Sequence, residues 1–285
     1  MNYKVYQVYY QEEQKKYLNQ EFSPFNNTSN KRPDLMEYHI FKIGYKRALS
    51  EKLSHWGFFS WKWEGKTKIK PQKFIDFIEK NPDQDVYLIN WAPHAESVCL
   101  NIWIHGEMHH HGLTYIADEC LKMLNYISPN ESVSNIIMTS HNTCLSSYFV
   151  ASAKFWADYL QFLNSIKNTI DNNDHLKSLV YTKTLYNDRN DQYSFFPFIV
   201  ERLFSTFLIL NKNKYKILNY PYDFSIYKKY IGENYKQIYK ASELKEKITQ
   251  QNTVENKIKY YNEWVNQLSY VNFPIKIPDF ETNEN

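Results

Sequence analysis

Glycine is scarce in this chain, with six among 285 residues. Neither the GxGxxG fingerprint of dinucleotide-binding folds nor the GxxxxGK[ST] phosphate loop is present, so a phosphorylated ligand would need another cradle. Cysteine is scarcer: Cys99, Cys120 and Cys144 are an odd number at spacings that match no zinc or redox motif. They lie inside apolar patterns and read as reduced core thiols. Long hydrophobic runs are also missing. No window approaches the ~20 apolar residues of a bilayer-spanning helix, and the opening MNYKVYQVYY has no cationic flank leading into a smooth apolar run. These absences point to a soluble, cytoplasmic protein.

Aromatic residues are plentiful, with 25 Tyr, 18 Phe and 7 Trp, and they suggest aromatic-walled clefts. A hydrophobic share of 43% suffices for one large domain or two small ones around a sizeable core. Lys4 to Tyr10 alternates as a strand does. After a polar stretch ending at Pro33, Asp34 is a candidate N-cap for a helix carrying Leu35, Tyr38, Phe41 and Tyr45, and WGFFSWKW at 56–63 reads as a buried strand. A short helix is expected from Pro71 to Lys80 and an apolar strand at Val86 to Ile89. Helical patterns at about 95–104 and 113–127 flank the polar loop HGEMHHHG, and another apolar run spans Val133 to Met138. Tyr148 to Ala151 reads as a strand passing into a helix at 153–170, and FIVERLFSTFLIL as a helix starting after Pro197. This alternation predicts an α/β single-sheet domain over residues 1–210.

The remaining residues, 211–285, read as a basic, Tyr- and Lys-rich, mostly helical extension. Residues 211–248 hold nine lysines against four acidic residues, a net +5 where the whole chain is only +3. Such a segment suits an anionic membrane surface or polyanion, or is simply a solvated helical face. No nucleic-acid partner is expected.

Three constellations carry chemistry. His105, Glu107, His109, His110 and His111 stand close enough in sequence to suggest a transition-metal site, but the spacing is not HExxH and no second ligand cluster accompanies them. A loop offering imidazole and carboxylate hydrogen bonds to a polar ligand fits better. Glu201 and Arg202 lie early in an apolar helix, where a carboxylate is favoured by the helix N-terminus and can take a proton from a hydroxyl; structural pairing of Glu201 with a lysine or with Arg202 is the plain alternative. Lys62, Lys66, Lys68 and Lys70 follow an apolar strand, where ligands of open α/β sheets sit, although lysines also protect strand ends. Asp83-Gln84-Asp85 precedes its strand and is poorly placed to hold a metal.

The order of these motifs resembles bacterial glycosyltransferases of the GT-A superfold from capsule and lipopolysaccharide loci. In the most similar group a helix with an early Glu leads to a strand of the form Y-I-G-L-x-H-Y-R-R; here Glu37, Tyr38 and Phe41 lead to Trp56 through Trp63. SSYFVASAKFWADYLQFL and PFIVERLFSTFL match the later strand–helix and ERL helix motifs, so the likeness covers roughly residues 3–210. It implies a GT-A-like nucleotide-sugar-binding domain that transfers a sugar to a surface-glycan or lipid-linked acceptor. Tyr9, Tyr10 and Gln11 would lie near the base, and Ser60, Lys62, Lys66 and Arg202 near the donor. Trp91, Trp103 and His110 would meet the acceptor. Glu201 would be the base that deprotonates the acceptor hydroxyl, with Glu107 or His109 as second choices. Where many such enzymes carry a metal-binding Asp-x-Asp, this chain has Ser60-Trp61-Lys62. The resemblance therefore implies that lysines neutralise the diphosphate without a required manganese or magnesium ion. Two other readings remain open: a metal-dependent hydrolase using the histidine loop, and a non-enzymatic glycan-binding module.

Overall fold

The computed structural model describes residues 1–186, 189–221, 228 and 232–271. A six-stranded sheet organises them. Its strands are β1 (Tyr3–Tyr9), β2 (Ser23–Asn26), β3 (His55–Ser60), β4 (Val86–Leu88), β5 (Phe149–Ser152) and β8 (Ile217–Asn219), in the spatial order β2-β1-β3-β5-β4-β8. All run parallel except β5, which is antiparallel to both β3 and β4. The α/β single-sheet expectation is met.

The sheet is covered on both sides, and neighbouring residues of β3 record this. Phe58 meets Phe41 of α1 (Met36–Ser50) and Trp156 of α7 (Ala153–Asn172), while Phe59 stacks on Trp63 of α2 (Trp63–Thr67) at 4.3 Å and meets Phe74 of α3 (Pro71–Lys80). Alternate side chains of a strand point to opposite faces, so a strand buried on both sides reads as a continuous apolar run rather than an alternating one. On the first face, Phe204 of α9 (Phe195–Leu210) stacks on Phe149 of β5 at 3.9 Å. Trp56, Trp63, Trp103 and Trp156 are all fully buried. The aromatic abundance therefore mostly fills the core between sheet and helices instead of walling a cleft. Gly57 is needed where β3 and β5 approach, since a Cβ there would stand 2.3 Å from the Phe149 carbonyl oxygen.

Several boundaries differ from the sequence expectation for identifiable reasons. The strand at 56–63 stops at Ser60, because Trp63 turns back in α2 to stack on Phe59. Helix 95–104 divides into α4 (Pro93–Val98) and α5 (Ile102–Glu107), the second capped by Asn101, whose Oδ1 accepts from the Ile104 N–H at 2.8 Å. The same Asn101 amide donates to the carbonyls of Val133, Ser134 and Ile136. With those acceptors taken, Val133–Asn135 forms a 3₁₀ turn rather than part of a strand. Asp34 does not cap α1; its carboxylate pairs with Arg32 at 2.7 Å. Helix α6 (Leu113–Met123) ends sooner than expected, α8 (Asp174–Val180) follows α7, and β6 (Lys183–Tyr186) pairs with β7 (Arg189–Ser194) in a separate hairpin. The three cysteines are buried free thiols.

Of the expected extension, β8 hydrogen-bonds to β4 within the main sheet, while residues 222–227, 229–231 and 272–285, including Asp223 and Lys229 of its charge count, lie outside the described residues. Helices α10 (Tyr235–Gln250) and α11 (Val254–Leu268) pack together, and α10 lies on α4. Their junction is ionic. Lys245 and Glu96 are 0% and 1% exposed, with Lys245 Nζ 2.9 Å from Glu96 Oε1 and 2.8 Å from the Cys99 carbonyl. Trp264 Nε1 donates to the Ser97 carbonyl at 2.9 Å. This clasp holds the segment that leaves β4, which carries part of the candidate site.

Candidate functional site

Strand β1 is followed by β2 on one side and β3 on the other, which makes a topological switch point. In open α/β sheets ligands bind beyond the carboxyl ends of the strands at such points. Tyr9 to Gln11 after β1, Ser60 to Lys66 after β3, Ile89 to Trp91 after β4, and the turn entering antiparallel β5 share that edge.

The turn into β5 is the focus. Ser146 and Ser147 both have left-handed backbones, with φ of 59° and 54°. Successive non-glycine residues in that region are strained, and such strain gathers at functional sites. Three elements converge on Ser146. Its N–H donates to Glu201 Oε1 at 2.9 Å, and its hydroxyl accepts from Lys66 Nζ, also at 2.9 Å. Lys66 also lies over the Trp91 ring at 5.1 Å. Nearby, Ser60 Oγ and Tyr148 OH are 2.7 Å apart.

Glu37, on the first turn of α1, joins this group electrostatically. Burial, then the charge of Glu201, pushes its carboxyl above the usual range. Burial pulls the Lys66 ammonium down, while Glu201 and Glu37 hold it up. Both residues keep some solvent-accessible surface although desolvation dominates each. At the Ser146 turn one carboxylate and one ammonium are held on the same serine, a proton acceptor beside a positive charge that can face an anionic leaving group.

The other expected residues divide clearly. Tyr9 is buried and Tyr10 is exposed, while Gln11 is tied to Gln14 in a reciprocal cap of the following 3₁₀ turn. Lys62 is exposed, beside the Trp61 ring. Trp91 stands at the site, but Trp103 is fully buried with its N–H donated to Thr206 Oγ1 at 2.9 Å, so it is a core residue and not a sugar platform. Arg202 is buried too. Its guanidinium donates to the carbonyls of Ile102 at 2.8 Å and Phe198 at 2.7 Å, which fastens α5 to α9 rather than reaching toward a donor. Gly106 makes room for it, because a Cβ there would lie 2.3 Å from Arg202 Nε. Arg202 Nη1 lies 3.6 Å from Glu201 Oε2, a looser contact than the Ser146 bond. Glu201 is the seventh residue of α9, past the turn where a helix N-terminus acts on charge. The Ser146 N–H takes over that orienting role.

The histidine loop is partly helical, because His105 to Glu107 belong to α5. Glu107 accepts from Gly112 N–H at 2.6 Å and from Thr114 N–H at 2.8 Å and hydroxyl at 2.9 Å. Burial alone would raise its carboxyl, but these bonds hold it below the ordinary value. It serves as the cap of α6, which leaves little capacity for a base. His109 is exposed, with its ring 5.2 Å from His105. His110 stacks on Phe198 at 3.7 Å, within electrostatic reach of Glu201. Among the described residues no group of three or more His, Cys, Asp or Glu side chains is arranged to hold a metal ion. The loop therefore does not support the metal-dependent hydrolase reading.

These imidazoles carry a stability prediction. Burial lowers His94 to about 4; burial followed by the Arg202 charge lowers His105 to about 3 and His110 to about 4. Depressed folded values mean that the unfolded chain binds these protons first. Stability is therefore present above about pH 6.5 and is lost as pH falls from there toward 4, by up to about 1.4 kcal/mol per pH unit for each histidine. Glu37 and Glu96, raised by burial, oppose the trend, but His39, His55 and His109 are lowered by burial as well, so two groups stand against six. Thermal unfolding scanned from pH 7 to 4.5 should show a steep fall in Tm; a flat profile would contradict the assignment.

Ser146, which sequence reasoning missed, completes the site, and Glu37 lies within electrostatic reach of Glu201 and Lys66. A Ser-Ser pair in front of a strand carries no catalytic signature, whereas Glu37 was legible as the early acidic residue of its helix.

No protein-family model matches this chain, and no curated protein matches it. Among solved structures it is similar to the apo structure of WbbM, a bifunctional glycosyltransferase, at 16% sequence identity and a TM-score of 0.49, over 77% of this chain and 44% of that one. This chain thus spans less than half of that structure. At such identity and TM-score the likeness does not extend to residues or substrates.

Proposed function

We propose that this protein is a GT-A-like glycosyltransferase that moves a sugar from a nucleotide-sugar donor to a glycan or lipid-linked glycan acceptor, as in surface-polysaccharide synthesis. The observation that carries the reading is the convergence of Glu201 and Lys66 on the strained Ser146 turn, at the strand edge that also holds the switch point of the sheet. The donor's base would lie at the Tyr9 to Gln11 end and its diphosphate at Lys66, with Lys62 at the rim. In the transfer the acceptor hydroxyl oxygen forms a bond to the anomeric carbon, the bond from that carbon to the diphosphate oxygen breaks, and the hydroxyl proton passes to Glu201. Lys66 would offset the charge gathering on the departing diphosphate. Residues 1–210 would form the catalytic unit, with β8 completing its sheet.

A thermal-shift and turnover screen of UDP-, GDP-, CMP- and dTDP-sugars, each with manganese or with EDTA, tests this. A shift of several degrees with one nucleotide series is expected, because a ligand that binds the native state stabilises it by mass action. Turnover in EDTA is expected as well, with lysine in place of Asp-x-Asp. A chain that neither binds nor turns over any of them is not this enzyme.

We further propose that the outer face of α11 rests on an anionic membrane near a lipid-linked acceptor. Val254, Ile258, Tyr261 and Val265 recur there at helical spacing and are 41–73% exposed; Lys257 and Lys259 are balanced by Glu255 and Glu263, and exposed Lys236, Lys240 and Lys247 of neighbouring α10 supply the positive charge. Among the described residues no helix is long and apolar enough to cross a membrane. Sedimentation with anionic but not zwitterionic liposomes, lost in Ile258→Glu, is the expected result; equal recovery in both supernatants would dismiss the contact.

A further inference from the structure

Next to the Lys66 and Glu201 group lies a polar pair that nothing in the folded chain satisfies. Asn90 is 2% exposed, and both its amide nitrogen and oxygen are buried without a hydrogen-bond partner. Ser147 is 1% exposed, and its hydroxyl is in the same state. The two are neighbours by register. Leu88 and Phe149 are the last pair of the ladder, the Ile89 N–H then donates to the Tyr148 carbonyl at 3.0 Å, and Asn90 and Ser147 are the residues one step beyond that contact on each segment. Each adjoins a residue of the site: Trp91 follows Asn90, and Ser146 precedes Ser147.

A buried amide without partners costs about 1–3 kcal/mol for each lost bond, and the left-handed Ser147 adds strain of order 1 kcal/mol or more. An isolated chain gains nothing from either. A ligand that supplies both a donor and an acceptor removes the first cost, because the Asn amide presents one of each. Adjacent sugar hydroxyls have this property. The spacing also fits. Strands lie about 4.8 Å apart, so β4 is about 14 Å along the edge from β1. A nucleotide sugar with its base at β1 and its diphosphate at Lys66 would bring its sugar to the β5–β4 end.

We infer that Asn90 and Ser147 form a hexose-hydroxyl subsite, which deepens and rests on the glycosyltransferase reading. The sugar is that of the donor or of the acceptor, and kinetics separate the two. Asn90→Leu is close in size and removes the unsatisfied amide, so its Tm should hold or rise, whereas an Asn with a structural role would lose stability. Binding of the matching nucleoside diphosphate should be unchanged. A rise of tenfold or more in KM for the nucleotide sugar assigns the subsite to the donor; an unchanged donor KM with the same rise for the acceptor glycan assigns it to the acceptor. Ser147→Ala should move the same constant in the same direction and covers the case in which the Leu variant does not fold. Wild-type kinetics in both variants, with the unsubstituted enzyme active, would overturn the subsite alone. Absence of any turnover in the unsubstituted protein would remove the glycosyltransferase reading and the subsite with it.

Discussion

Glu201→Gln should lower turnover about 10²-fold or more while leaving nucleotide-sugar binding in place. The amide keeps an oxygen that can accept the Ser146 N–H, so the turn and the Lys66 bond survive. What the substitution removes is the basic oxygen that the proposed reaction uses to take the acceptor proton. Glu201→Asp, one methylene shorter, should pull the carboxylate away from Ser146 and recover only part of the rate. Wild-type turnover in the Gln variant, measured at saturating donor and acceptor, would rule out Glu201 as the base.

Lys245→Met should destabilise the protein by about 3–5 kcal/mol, the usual penalty for breaking a buried pair from one side. For a chain of this size that corresponds to roughly 10 °C in Tm. The ammonium satisfies Glu96 Oε1 and two backbone carbonyls in a region that water does not reach. Burial pushes the Glu96 carboxyl up and Lys245 pulls it back, so removing the lysine leaves either an uncompensated charge or an uptake of one proton. Adding Glu96→Gln to Lys245→Met should return much of the loss, because a neutral buried pair carries a smaller desolvation penalty. Turnover should fall in the single variant although no site residue has changed, since α4 leaves directly from Trp91. A Tm within 2 °C of wild type would show that the α10–α11 hairpin is not clasped in this way.

This clasp also revises the meaning of the C-terminal charge excess. As a sequence, residues 211–248 are a basic stretch suited to an anionic surface; in the fold one of those lysines is the most deeply buried cation of the hairpin. Charge counting cannot tell a solvated lysine from one that has crossed the chain to meet Glu96, 149 residues away. Exposed Lys236, Lys240 and Lys247 on α10 remain free to play the surface role.

Much of the fold was legible because its elements follow local rules. Pro71 opened a helix that ends at Lys80 as expected, and the apolar runs at Val86 and Phe149 gave strands within a residue or two of their bounds. Periodicity failed where one side chain redirected the backbone. Asn101 took the carbonyls of the Val133 segment, and the Phe59–Trp63 stack ended β3 early.

The site divides along the same line. The α/β alternation, the buried aromatic runs, the acidic residue in the ERLF helix and the lysines after β3 could be read along the chain, because each depends on residue type and near neighbours. Only the tertiary structure decided which polar groups meet. Ser146 collects Glu201 from 55 residues away and Lys66 from 80, whereas Arg202, adjacent to Glu201 in sequence, gives its hydrogen bonds to the carbonyls of Ile102 and Phe198 in the core. Glu107 and Trp103, attractive as residue types, are taken up by a helix cap and by core packing. The physical reason is that hydrogen bonding and desolvation are set by the atoms within a few ångströms of a group, and in this chain most of those atoms come from distant positions.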